Sequence, residues 1–348
     1  MHPPPLRTDN ATTAPTPPPT IPAAPKGGVW LFGVTAYSPI TTLFAFAVDL
    51  TDSPSRIVTR TEVPLVFNST LVPTSRSWAQ DVVTGRLAMW HTISGGADAG
   101  KCAVETVRVQ PSPTHPRLES TWVVPSKYCV KGAQITLDPR APSTVYLFAR
   151  VPSLGAASGD SATGRTYPVL LKITGPGSGT GAARVSVISD RIPVSVYGPI
   201  AIDAYFHDAY IVNTSLLVPT QNVIKVSTIS GDVTVDSRPI VTDTTRLSAV
   251  QFSNKKMGQA YASANYNSQS GRMARVDTSA SPWRVTKLGY APSPYTFRYD
   301  FSSDPPTAYG GGPSWCNWYH VTDSNPPLRS IVIQGYWNYG VVFPYTMR

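Results

Sequence analysis

Charge, cysteine and long apolar runs are all scarce in this chain, and each scarcity excludes something. Charged residues make up 14% of the 348 positions, against about a quarter in an average soluble protein, which favours strands and turns over helices. The three cysteines, Cys102, Cys129 and Cys316, include no C-x-x-C pair, so neither a zinc ribbon nor a thioredoxin-like centre is encoded. No run of about 18 apolar residues occurs, so no membrane span is expected. Met1 to Lys26 offers Pro and Thr where a signal peptide would have an apolar segment. Basic clustering is also missing. The formal charge is +9, yet Lys and Arg stand singly, with Lys255-Lys256 the only adjacent pair. Nucleic acid is therefore not an expected partner, because a dispersed positive balance acts mainly on solubility and non-specific contacts.

Proline (35 residues), Ser, Thr, Val and Tyr are plentiful instead. Residues 1–27, with Pro3-Pro-Pro5 and Pro17-Pro-Pro19, cannot bury enough apolar surface to offset ordering entropy and read as a disordered Pro/Thr-rich tail. From Gly28 to the C-terminus short strands follow one another with no helix signal. Ile200 to Val235 shows the unit most plainly: Ile200-Ala-Ile-Asp203, Ala209-Tyr-Ile-Val212, Val223-Ile-Lys-Val-Ser227 and Asp232-Val-Thr-Val235, divided by turn residues. The first two strands of the units align. Trp78-Ala-Gln-Asp81, Ile135-Thr-Leu-Asp138, Ile200-Ala-Ile-Asp203, Val250-Gln-Phe-Ser253 and Phe297-Arg-Tyr-Asp300 are each followed by Met89, Tyr146, Tyr210, Tyr261 or Tyr309 in the returning strand. The interval is roughly 47 to 65 residues, near the period of a propeller blade.

The first unit, Val29 to Val34, Leu43 to Leu50 and Ile57 to Val63, has three strands, and Asn338-Tyr-Gly-Val-Val-Phe343 is left over at the other end. Tyr339 to Phe343 is therefore expected to lie innermost beside Val29, which removes the open sheet edge of a ring. The pattern of apolar-x-apolar-Asp, a turn, then apolar-Tyr-apolar resembles six-bladed β-propellers of the broad group that includes NHL-repeat and sugar-lactonase-like proteins. The resemblance implies an all-β fold of six four-stranded antiparallel blades over residues 28–348.

The repeated Asp81, Asp138, Asp203 and Asp300 are expected to accept hydrogen bonds from turn amides. Asp203, His207 and Asp208 form the best local cluster for a general base or metal ligand. A lactonase would need Glu, Asn and Asp converging on the channel around a divalent cation, and Glu occurs at Glu62, Glu105 and Glu119 alone. Ser158-Gly-Asp160 with Gly164-Arg-Thr-Tyr167 is a distorted echo of a sialidase box. No metal and no cofactor are expected. The end of the sheets opposite the Asp turns holds the loops Gly95-Gly96, Val151 to Tyr167, Ala264 to Gly271 and Gly310-Gly-Gly312. It also holds Tyr128, Tyr197, Tyr290, Trp315 and Trp337, which could stack on a sugar or anchor a protein.

Cys102 and Cys129 are expected on one face, close enough for a disulfide. Three sequons, Asn10-Ala-Thr12, Asn68-Ser-Thr70 and Asn213-Thr-Ser215, suit a secreted protein glycosylated at Asn68 and Asn213. The reading reached is a monomeric, non-catalytic binding module, extracellular or at the cell surface, for a protein or carbohydrate ligand. The alternatives are a hydrolase or lactonase with its site at the channel mouth, and an intracellular interaction scaffold.

Overall fold

A computed structural model describes the backbone of residues 29–35, 40–49, 56–69, 78–81, 85–109, 116–129, 133–151 (without 139 and 142), 167–193 (without 191), 200–203, 208–214, 221–241, 246–252, 257–267, 270–292, 296–300, 307–312, 315–321, 329–332 and 339–346, and most of their side chains as far as residue 286. Strands dominate. The first sheet holds β1 (Val29–Thr35), β2 (Ile40–Asp49) and β3 (Arg56–Ser69), and the second β4 (Trp78–Asp81), β5 (Arg86–Thr92), β6 (Cys102–Arg108) and β7 (Arg117–Val124). The third comprises β8 (Gln134–Leu137), β9 (Thr144–Val151) and β10 (Tyr167–Thr174), then, past β11 (Gly179–Ala182), β12 (Arg184–Ser189). The fourth is β13 (Ile200–Asp203), β14 (Asp208–Thr214), β15 (Gln221–Ser227) and β16 (Val233–Asp236). The fifth is β17 (Arg246–Phe252), β18 (Gln259–Asn267), β19 (Ser270–Asp277) and β20 (Arg284–Pro292). The sixth is β21 (Thr296–Asp300), β22 (Thr307–Gly312), β23 (Trp315–Val321) and β24 (Arg329–Val332), and β25 (Tyr339–Thr346) follows it.

Within each sheet the strands run in sequence order, antiparallel, and β25 takes the place before β1 with Phe32 opposite Phe343. Three details depart from the sequence reading. β11 leaves the third sheet and pairs in parallel with β7, so the second sheet has five strands, one of them parallel. Gly310-Gly-Gly312 is strand, because Gly310 and Gly311 complete the ladder with Phe297 and Thr296. Most of Ala264 to Gly271 is likewise strand, the β18–β19 hairpin holding Asn265 opposite Gly271.

The second strands explain why the apolar runs are solid rather than alternating. β5 and β9 are buried along nearly their whole length because sheets pack on both of their faces, whereas the outer strands β12 and β16 are mostly exposed or half-buried. The core accordingly lies in the seams between sheets. Trp30, Phe32 and Leu43 of the first sheet meet Trp78, Met89 and Val107 of the second. Trp90, Val104 and Trp122 meet Leu147, Leu171 and Ile173. Phe148 and Leu170 of the third meet Ile202, Ile211 and Ile224 of the fourth, and Val212 and Val223 meet Val250, Ala262 and Trp283 of the fifth. Each such side chain contributes roughly 1.5–3 kcal/mol when fully buried. β17 and β18 adjoin β21, and β21 and β22 adjoin β25.

Buried polar side chains stitch the same seams. Gln134 Oε1 accepts the Ile200 N–H at 3.2 Å from the next sheet. Glu105 Oε1 reaches back to the first sheet and accepts the N–H groups of Val66 and Phe67 at 2.9 and 3.3 Å.

Candidate functional site

The first hairpin of each sheet positions the carboxylates that the sequence singles out. At Asp138 the geometry is that of a turn cap: Oδ1 accepts the Arg140 N–H at 3.0 Å and its Nε at 3.3 Å, and Tyr146 donates its hydroxyl to Oδ2 at 3.5 Å. Burial comes first in holding the Tyr146 phenol above its ordinary range.

Asp203 and Asp208 face one another as the last pair of the β13–β14 hairpin, while His207 lies outside the described residues. Asp203 is buried, and Asp208 Oδ2 has Lys225 Nζ at 3.6 Å. Two residues along β14, the Tyr210 ring packs on Phe252 and Trp283 with centroids 5.0 and 5.4 Å away, and those two meet edge to face at 6.0 Å. Burial, then the charges of Asp208 and Asp203, push the Tyr210 phenol far up, so it remains a neutral hydroxyl at any physiological pH. This end of the fourth sheet can donate and accept hydrogen bonds beside an apolar wall; its charge is partly offset by Lys225. Among the described residues no three His, Cys, Asp or Glu side chains gather to hold a metal ion.

Three of the aromatic candidates, Tyr128, Tyr290 and Trp315, fall at the opposite end. Tyr128 closes a 3-10 turn after β7, half-buried against the second seam, with Lys127 Nζ 4.8 Å above its ring. Tyr290 sits near the end of β20 opposite Arg272, and Trp315 opens β23 opposite Gly312. Tyr197 and Trp337 lie outside the described residues. Cys102, at the start of β6, is joined to Cys129 by a disulfide at this same end. Asn68 and Asn213 belong to β3 and β14.

Sequence reasoning passed over two clusters of ionisable side chains in the second sheet, one fully buried and one half-buried. His91 Nε2 lies 3.3 Å from Glu105 Oε2, both side chains fully buried. Glu119 is gripped by Arg86 at 2.6 and 3.0 Å and by Arg108 at 2.8 Å. Burial works against its charge, but the two guanidinium groups prevail and hold its carboxyl below the ordinary value. The signal lay in the scarcity of Glu: two of the three glutamates in the chain sit inside these strands.

No protein-family model matches the chain, and no curated protein does. Among solved structures, it resembles one in the crystal structure of a nidogen/laminin complex, with a TM-score of 0.55 and 8% identity over 91% of this chain and 98% of that one. A 6-phosphogluconolactonase-like protein of Bacteroides fragilis aligns at a TM-score of 0.48 and 12% identity, covering 93% of this chain and 99% of that one. The periplasmic gluconolactonase of Pseudomonas aeruginosa aligns at 0.46 and 10%, covering 89% and 84%. Identities so low carry architecture and nothing of the chemistry. At the level of fold, the chain is a β-propeller protein.

Proposed function

We propose that this protein is a monomeric, non-catalytic binding module, acting outside the cell or at its surface and built as a six-bladed ring closed by both chain ends. The succession of seams supports the ring: each sheet packs on the next, and the sixth adjoins the strand that the C-terminus lends to the first. Residues 28–348 then form one domain behind the Pro/Thr-rich tail. The Cys102–Cys129 disulfide favours an oxidising compartment, in keeping with the sequons at Asn68 and Asn213.

The use made of the carboxylates carries the binding reading. Asp138 holds its own turn, Glu119 is taken by two arginines and Glu105 by backbone amides, so these groups maintain the fold. Recognition then falls to the end that holds Tyr128 and the β20 and β23 positions of Tyr290 and Trp315, aromatic residue types suited to a protein or carbohydrate, with Tyr197 and Trp337 as further candidates outside the described residues.

The test is purified protein on an array of glycans and extracellular-matrix proteins, run beside a lactone-hydrolysis assay with added divalent cation. Saturable binding that falls about tenfold in Trp315→Ala or Tyr290→Ala is expected. Turnover that a chelator abolishes would favour the lactonase alternative instead.

A further inference from the structure

Just past the second sheet, at the end that holds Tyr128, the chain is tied back on itself. Cys102 and Val124 are the last opposed pair of β6 and β7, and Pro125, which has no amide hydrogen to offer, follows where the ladder stops. Ser126 to Tyr128 then form one 3-10 turn with no side-chain cap and no buried residue. Its backbone hydrogen bonds are internal: the Tyr128 N–H donates to the Pro125 carbonyl and the Cys129 N–H to the Ser126 carbonyl, each at 2.9 Å. A lone 3-10 turn has poor hydrogen-bond geometry and does not hold its place by such bonds alone.

The ties lie on either side of it and in its last step. Val124 and Ala133 are fully buried in the seam between the second and third sheets. Between them Cys129 is bonded to Cys102, 27 residues away in sequence and itself fully buried. The residue after Tyr128 is thus carried back to the level of the Cys102–Val124 pair. Tyr128 is left half-buried against the same seam, with Lys127 exposed above its ring.

We propose that the Cys102–Cys129 bond is the positioning element of the binding end, which is completed only once the two thiols are oxidised. The proposal rests on the binding reading above: Tyr128 touches the ligand, and the two cysteines act through it. Closure is thiol–disulfide exchange with a small-molecule or protein disulfide. The two thiols give up two protons and two electrons, one S–S bond forms in the chain, and the oxidant's S–S bond breaks to two thiols. Reopening begins at Cys129, the less buried of the pair. An external thiolate attacks its Sγ, and Cys102 departs as the thiolate, with the Thr92 hydroxyl 3.8 Å from that sulfur to donate to it. A second external thiolate resolves the mixed disulfide, and the two external thiols leave as a disulfide. A reducing compartment therefore leaves the turn untied, and an oxidising one assembles the site.

Two readouts on the full chain test this. The first needs no ligand: amide exchange is compared before and after reduction with dithiothreitol. Tyr128 and Cys129 should exchange about tenfold faster once reduced, while Ala103 to Val107 and Trp122 to Val124 stay slow. The second is the array of glycans and extracellular-matrix proteins. Features bound by the oxidised protein should lose about tenfold in apparent affinity on reduction and regain it on reoxidation with oxidised glutathione. Cys129→Ser should behave as the reduced protein in both readouts. Tyr128→Ala should show the same loss of affinity while oxidised, and reduction should then take away nothing more. A further loss in that variant would mean that the bond stiffens the fold without acting through Tyr128, and would overturn the role. Unchanged exchange at Tyr128 and Cys129, or exchange that rises equally throughout β6 and β7, overturns it as well. Binding that persists unaltered on reduction sinks this proposal alone, whereas the expected exchange with no array feature bound sinks the binding reading and the proposal with it.

Discussion

Gln221 holds Leu247 by both ends of its side-chain amide: Oε1 accepts the Leu247 N–H at 2.7 Å and Nε2 donates to the Leu247 carbonyl at 3.3 Å. The contact crosses the seam between the fourth and fifth sheets and is buried, so it substitutes for a backbone ladder where two sheets meet. Gln221→Leu leaves a buried donor and a buried acceptor unsatisfied, at about 1–3 kcal/mol each. Urea unfolding should show a loss of about 2–4 kcal/mol, with an unchanged dependence on denaturant concentration.

Glu105 does comparable work between the first and second sheets with one carboxyl oxygen. Glu105→Ala removes the acceptor of the Val66 and Phe67 amides, and should cost about 2–4 kcal/mol. Glu105→Gln keeps an acceptor oxygen and should cost less. Amide exchange at Val66 and Phe67 should accelerate in the Ala variant well before exchange in the sixth sheet; equal acceleration everywhere would mean that Glu105 is not local to this seam.

Gly175 lies under the Trp122 indole, where an added Cβ would fall 1.9 Å from the ring. Trp122 is fully buried and has no room to retreat. Gly175→Ala should therefore destabilise by about 1–3 kcal/mol, and pairing it with Trp122→Phe should recover part of the loss in a double-mutant cycle.

The Asp236 carboxyl is held down to about 2, first by the Arg238 side chain that hydrogen-bonds it and then with help from Ser281 of the next sheet. A lowered folded-state value means that the unfolded chain takes up the proton first. The contribution is thus complete above about pH 4 and is lost as the pH falls towards about 2. In a series of urea midpoints from pH 5 to pH 2, Asp236→Asn should flatten the acid limb; an unchanged limb would remove Asp236 from the acid response.

How much of this was legible in the sequence depends on whether a residue's role is local. Runs such as Leu87–Trp90 and Val145–Ala149 announce strands buried on both faces, and the Asp that ends a first strand announces its turn. β11 left no such trace: Gly179-Thr-Gly-Ala182 has little strand preference and pairs because it runs along the open edge of β7. Gln134 and Gln221 look like ordinary surface amides until the neighbouring sheet is placed beside them. Turn-counting alone tells at which end of a sheet Tyr128, Tyr290 and Trp315 fall, since antiparallel strands in sequence order alternate ends.

Closure by the two chain ends is tested most directly by amide hydrogen exchange of residues 339–346 in the intact protein. Paired to β1 and bordered by β21 and β22, these amides should exchange slowly, at the rate of the buried second strands. Exchange at the rate of an unstructured peptide would contradict the ring.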